Sequence, residues 1–276
     1  MPIASTSVFR TLGGVVLAAT ILFTGSSVGA SSPPQPPSSL GVATHVALPK
    51  SVLNATFMDQ SGHLRTLRGL AGKTVFLVPL LTLCGDTCPF TSGNLLQLCS
   101  KLAAHKDKNV AVVTISVDPY RDSVARNEAY ARMIGASFEI WTPTGRTSRP
   151  VPPPHYSGKR SIGSGDTNAQ LTIIEHFFGW ASLVVKEAKP ASIDWMAPHK
   201  ALWYDISHSD GFWAINAQHV VRFETGNAPR FHGTLAKALA KFLNSDGKNT
   251  YKHPTPGGWT PTQALAVLSW VAGRRL

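Results

Sequence analysis

The stretch TVFLVPLLTL at 74–83, running directly into CGDTCP at 84–89, decides how this chain is read. Its first ten residues are apolar, partly β-branched and unrelieved by charge, which is the pattern of a strand buried on both faces. Pro79 lacks the N–H that a central strand donates, so pairing should end or bulge near it. Downstream, 91–104 sets Leu95, Leu96, Cys99, Leu102 and Ala103 at helical spacing and predicts an amphipathic helix. Cys84 and Cys88 therefore lie between a buried strand and a helix start, where unpaired N–H groups and the macrodipole favour thiolate over thiol. Thiolates four residues apart can converge on one metal ion, close a short disulfide, or run dithiol exchange. A purely structural disulfide is the plainer reading. Cys99 falls on the apolar side of the helix and reads as an inert core residue.

Outward from this stretch the chain alternates. NVAVVTISV at 109–117 reads as a second apolar strand closed by Asp118 and Pro119, 121–133 as a helix, and 138–142 as a short strand. This is α/β order. From 143 to 166 the composition turns to Pro, Gly, Ser and basic residues and predicts an exposed insertion. A helix over 168–178 and an edge strand over 183–186 follow, then a loop with Trp195, His199 and Trp203. A hairpin is expected from 211–217 and 219–224, turning around 216–218. The segment 233–243 has the spacing of an amphipathic helix. Thr260, Pro261 and Gln263 give the start of a last helix its cap, its first-turn proline and a weak capping box. No internal repeat is visible.

Arg10, an apolar run at 12–23 and the small residues Val28, Gly29 and Ala30 form a secretory signal pattern, with retention as an N-terminal membrane anchor as the second reading. SSPPQPPSS at 31–39 has no means of building a core and reads as a tether. The expected organisation is a leader at 1–30, a Pro/Ser-rich linker at 31–50 and one domain at 51–276, with folded structure beginning near 45–55. Three cysteines exclude a disulfide-dense scaffold, and more than two hundred remaining residues can bury a core without staples. The net charge of +11 comes from scattered Lys and Arg with no basic helix, which argues against nucleic acid. Affinity for anionic lipid or cell-wall polymer, or simple solubility, is the milder implication.

Four motifs occur in order: FMDQSG at 57–62, CGDTCP at 84–89, ISVDPYRD at 115–122 and YDISHS at 204–209. Together they resemble the Sco (SenC) copper-chaperone family of the thioredoxin superfamily, over roughly 57–243. A C-x-x-x-C alone would be a weak signal; the ordered set is a strong one. The resemblance implies a thioredoxin-like α/β fold, a central mixed sheet flanked by helices, with an inserted loop region and a C-terminal helical extension. It also implies that Cys84, Cys88 and His208 hold a single copper ion and that Asp118 lies near the site in the second shell. Family members commonly carry an acidic residue immediately before the histidine; this chain has Ser207 there, with Asp205 two positions earlier, which puts the strength of copper binding in question.

Two thiolates and an imidazole form a soft donor set that suits Cu(I), can hold Cu(II) and leaves a position free for handing the metal on. The same trio can hold zinc. His176, beside Phe177 and Phe178, reads as a packing residue, and His199, His219, His232 and His253 have no partner suggested by spacing. The family implies an exported copper chaperone at the extracytoplasmic face, anchored or secreted, that delivers copper to the copper-binding subunit of cytochrome oxidase. An oxidising compartment would close the Cys84–Cys88 pair, so a thiol reductant is implied as a further partner. The rival is an extracytoplasmic thiol-disulfide oxidoreductase using the same two cysteines, and three intervening residues rather than two favour copper. A peroxiredoxin is excluded because Leu81 and Gly85 stand where threonine would be needed.

Overall fold

The computed structural model describes residues 33–147, 168–180, 182–186, 193–198, 200, 202, 204–254 and 256–276. The leader, most of the 143–166 insertion, His199 and Trp203 lie outside the described residues. In chain order the elements are β1 (Val42–Ala47), α1 (Lys50–Asn54), β2 (Phe57–Asp59), β3 (Leu64–Arg65), a 3-10 turn (Leu67–Leu70), β4 (Thr74–Leu80), α2 (Cys88–Ala104), β5 (Val110–Ser116) and α3 (Val124–Ile134). They continue with β6 (Glu139–Pro143), α4 (Ala169–Phe178), β7 (Ser182–Lys186), β8 (Tyr204–His208), β9 (Phe212–Ile215), β10 (Val220–Thr225), α5 (Lys237–Ala240), α6 (Ser245–Lys252) and α7 (Pro261–Ala272).

One mixed sheet runs β1-β10-β9-β4-β5-β6-β2-β3, and β7 and β8 pair apart from it. Within the large sheet β4, β5 and β6 are parallel, while β9 lies antiparallel against β4. The succession β4–α2–β5, then the β9–β10 hairpin and α7, in spatial order β5-β4-β9-β10, is the thioredoxin-like arrangement. Every residue of β4 is buried, as its unbroken apolar run predicts. Phe76 on β4 packs against Phe212 on β9 and Trp259, with ring centroids 4.5 and 5.7 Å apart. Helix α7 lies over β4, β9 and β10 and touches α2. The Thr260 capping box and Pro261 start it where expected.

Pro79 is accommodated by the alternation of strand polarity. Thr74 donates its N–H to Asn109 on the β5 side, so the odd-numbered residues of β4 point theirs toward β9. Pairing with β9 stops at Leu77, and the N–H that Pro79 lacks would have had no partner there. On the other side pairing with β5 continues to Leu80.

Several expectations are corrected. Folded structure begins before 45–55: Leu40 is buried and β1 pairs along β10. Helix α2 starts at Cys88 rather than 91, and its buried stripe is Leu95, Leu98 and Leu102, with Ala103 exposed. The expected helix over 233–243 is only the single turn α5. Gly233 is in the left-handed region at φ +100°. The Leu235 amide donates to the Tyr251 hydroxyl, which itself donates to the Gly233 carbonyl, so this stretch is held outside a helix. Leu235, Leu239 and Leu243 are buried from an irregular path, which mimics helical spacing. Helix α6, rich in polar residues, went unread; Asn244 caps it through the Gly247 amide. His176 is exposed rather than packed.

Candidate metal centre

Cys84 sits in the loop after β4 and donates its amide to Leu81 at 3.2 Å; Cys88 is the first residue of α2 and is buried. Glycine is required between them. A Cβ on Gly85 would stand 2.6 Å from the Phe242 carbonyl oxygen, and Gly85 accepts from the Asn244 amide at 2.9 Å. The cysteine loop is thereby pressed onto the chain that leads into α6. Its other side is tied down at Thr82, whose amide and hydroxyl both donate to the buried Asp122 carboxylate. Ser116 donates to the same carboxylate at 2.7 Å. Arg126 donates to the Thr82 hydroxyl at 2.6 Å and to both oxygens of Asp194, and the Trp195 indole N–H reaches the Thr82 carbonyl at 2.8 Å.

His208 ends β8 and reaches the cysteines from the small sheet. Its Nε2 is 3.4 Å from Cys88 Sγ, and Nδ1 is 2.8 Å from the Ser209 carbonyl oxygen. A carbonyl only accepts, so Nδ1 carries a proton and Nε2 faces the thiols, where the neutral ring presents its lone pair to a metal. The ligand atoms of Cys84, Cys88 and His208 all lie within 4.8 Å of one another, and among the described residues this is the one such group. All three are free thiols or an imidazole with no disulfide between the cysteines.

The two thiols differ in proton affinity. Cys84 is held well below the usual thiol range because Cys88 donates to it and His208 lies beside it, against the opposing effect of burial. Cys88 is pushed well above that range by the hydrogen bond to Cys84 and by burial. The expectation that the helix start favours thiolate at both positions is thus corrected for Cys88: one negative charge in this pocket raises the cost of a second. His208 is pulled down by burial but more strongly raised by Cys84, Asp210 and the Ser209 carbonyl, to about 9. In the metal-free pocket Cys84 is thus the group that gives up its proton first, while Cys88 and His208 hold theirs to higher pH. Cys99 packs against the core from α2, and burial pushes its thiol up to about 11 against an opposing hydrogen bond with Ser137.

The acidic residues around the centre take different partners. Asp205 shares a strand face with Ser207, not with His208, and accepts from the Ile206 amide at 2.8 Å. The carboxylate nearest the His208 ring follows it in sequence: Asp210 Oδ1 is 4.0 Å from Nδ1. Burial raises Asp210 to about 6, with His208 opposing. Asp86, inside the cysteine loop, is raised by burial and by Cys84. Asp118 is buried and binds Arg121 and the Tyr204 hydroxyl rather than the imidazole. Asp210, Asp86, Arg121, Tyr204 and Asp122 were assigned no role from sequence. Arg121, Asp122 and Tyr204 stood inside the quoted motifs, and Asp210 directly follows one; their positions were the available signal.

The description that matches is SCO1/SenC, over residues 51–148. These residues are similar to the SCO1/SenC family. The SCO1/SenC segment contains Cys84, Cys88 and Asp118 and ends before His208. A comparison with curated proteins gave no match. Similar solved structures include ScoI of Bradyrhizobium japonicum with copper bound, at 20% identity over 72% of this chain and 99% of that chain, TM-score 0.44. Yeast Sco1 with copper bound aligns at 15% identity over 81% and 94%, TM-score 0.43. Apo Sco1 of Thermus thermophilus aligns at 17% identity over 73% and 90%, TM-score 0.45.

Proposed function

We propose that this chain binds one copper ion through Cys84, Cys88 and His208 and hands it to the copper-binding subunit of a cytochrome oxidase. The observation that carries the reading is the convergence, within 4.8 Å, of a sulfur from the loop after β4, a sulfur from the first residue of α2 and an imidazole nitrogen from the end of β8. Three soft donors match Cu(I) and leave a coordination position for an incoming acceptor ligand, so transfer proceeds by exchange of one donor at a time. Binding displaces the Cys88 thiol proton and the His208 ring proton; Cys84 is already poised as thiolate. The SCO1/SenC match over the cysteine loop supports the chaperone reading.

The proposal includes export. The 1–30 segment serves as a cleaved signal or a retained anchor, and the domain works at the extracytoplasmic face, with a thiol reductant keeping the pair open. Among the described residues no helix is long and apolar enough to cross a membrane, so an anchor would be the leader itself. One observation favours a second reading, thiol-disulfide exchange: Cys84 is thiolate-prone and Cys88 stands beside it as a resolving thiol. The deciding experiment measures copper transfer to an apo binuclear-copper domain beside reduction of a generic disulfide, with wild type and His208→Ala. Copper transfer that needs His208, with slow disulfide turnover, is expected. Fast disulfide turnover indifferent to His208, with no copper transfer, would assign the oxidoreductase.

A further inference from the structure

Among the described residues the strand that carries His208 is not hydrogen-bonded into the large sheet, and β8 pairs only with β7. Its position relative to the cysteines must come from other attachments. On the C-terminal side the chain enters β9 at Phe212, and Gly211 fits only because it has no side chain, since a Cβ there would lie 1.7 Å from the Thr225 carbonyl oxygen. On the N-terminal side the attachment is a clamp of three side chains around Tyr204, the first residue of β8. The Tyr204 hydroxyl donates to Asp118 at 3.1 Å. Arg121 donates from Nε to the same carboxylate and from Nη1 to the Tyr204 backbone carbonyl at 2.6 Å. Its guanidinium also lies 3.7 Å from the Tyr204 ring centroid, stacked on its face.

Asp118 follows the end of β5, next to β4, so the clamp ties the start of β8 to the strand pair from which the cysteine loop emerges. A planar guanidinium that grips a carboxylate, a carbonyl and a ring together fixes direction as well as distance, which a lysine in its place would not do. We infer that Arg121 and Tyr204, locked by Asp118, are positioning residues that hold β8 so that His208 Nε2 meets the two sulfurs. The clamp is four residues, roughly 13 Å of extended chain, from the imidazole and touches no ligand atom itself. It rests on the ligand set proposed above.

The test is a double-mutant cycle on the reduced full chain, reading Cu(I) affinity by competition with a chromophoric chelator. Tyr204→Phe and Arg121→Met are each made in the wild-type and the His208→Ala backgrounds. With His208 present each clamp variant should weaken affinity by about tenfold, as outer partners of a metal ligand do; without it the loss should fall below about twofold. A second readout needs no metal: amide hydrogen exchange at Ile206 and His208 should accelerate in Tyr204→Phe at an unchanged urea midpoint. This separates release of the strand from global unfolding, to which the harsher Arg121→Met is more exposed. Clamp variants that leave affinity unchanged while His208→Ala weakens it would overturn the positioning role alone. Equal losses in both backgrounds would overturn it too, as a general effect on the fold. A His208→Ala protein that binds like wild type would remove the ligand set and the inference together.

Discussion

Cys84 and Cys88 share one loop yet hold protons very differently, because the buried pocket accepts a single negative charge and compensates it with the His208 imidazolium. Two results follow for the metal-free, reduced protein. Iodoacetamide should modify Cys84 at lower pH than an ordinary thiol. Cys99, with its thiol at about 11, should react negligibly near neutral pH and gain about tenfold per pH unit, as mass spectrometry of the alkylated peptides would show. Metal binding should show the opposite face of the same chemistry. His208 is raised to about 9, so at pH 7 it and Cys88 both carry protons that the metal must displace. Apparent Cu(I) affinity should therefore rise with pH, and the histidine share of that rise should flatten above about pH 9 and vanish in His208→Ala. A chelator competition series across pH checks the sign. The donor residues were legible from sequence because cysteine spacing and the YDISHS motif are local. Asp210 was not, since it lies in the irregular link between β8 and β9.

The cysteine loop owes its shape to a network from three neighbouring elements. Asp122, just before α3, is raised by burial and by Asp118, yet accepts from Thr82 and Ser116. Asp122→Ala would leave those donors buried without an acceptor and should cost about 3 kcal/mol, read as a lower urea midpoint. Because Thr82 anchors the loop, the same variant should weaken copper binding by more than a surface substitution does. The strands β4 and β5 and the helix α2 were readable from their apolar patterns, and α3, α4 and α7 add local caps: Ser123, Asn168 and Thr260 all accept from amides in the first turn. The turn at 233–243 was misread because burial on an irregular path repeats at the same spacing as a helix face. The Tyr251 hydroxyl that holds it open is 16 residues from Leu235, beyond any local pattern.

Across the whole molecule, one aromatic knot joins the sheet to the C-terminal helix. Trp259 is fully buried against Phe76 and Phe212 just before α7 begins. Trp259→Ala should cost about 4 kcal/mol in chemical denaturation while leaving copper stoichiometry at one per folded chain. The parallel core and the hairpin could be anticipated from alternating apolar runs. The outer strands could not: β1 is exposed and β2 and β3 are short; β1 and β2 find partners more than seventy residues away in β10 and β6, and β3 joins only by pairing with β2. The most direct test of the central claim is X-ray absorption spectroscopy of the copper-loaded, reduced protein beside its His208→Ala variant. Two sulfur donors and one nitrogen donor are expected in the wild type, with the nitrogen lost in the variant. A wild-type spectrum with no nitrogen donor, or one unchanged by the substitution, would contradict a centre built from Cys84, Cys88 and His208.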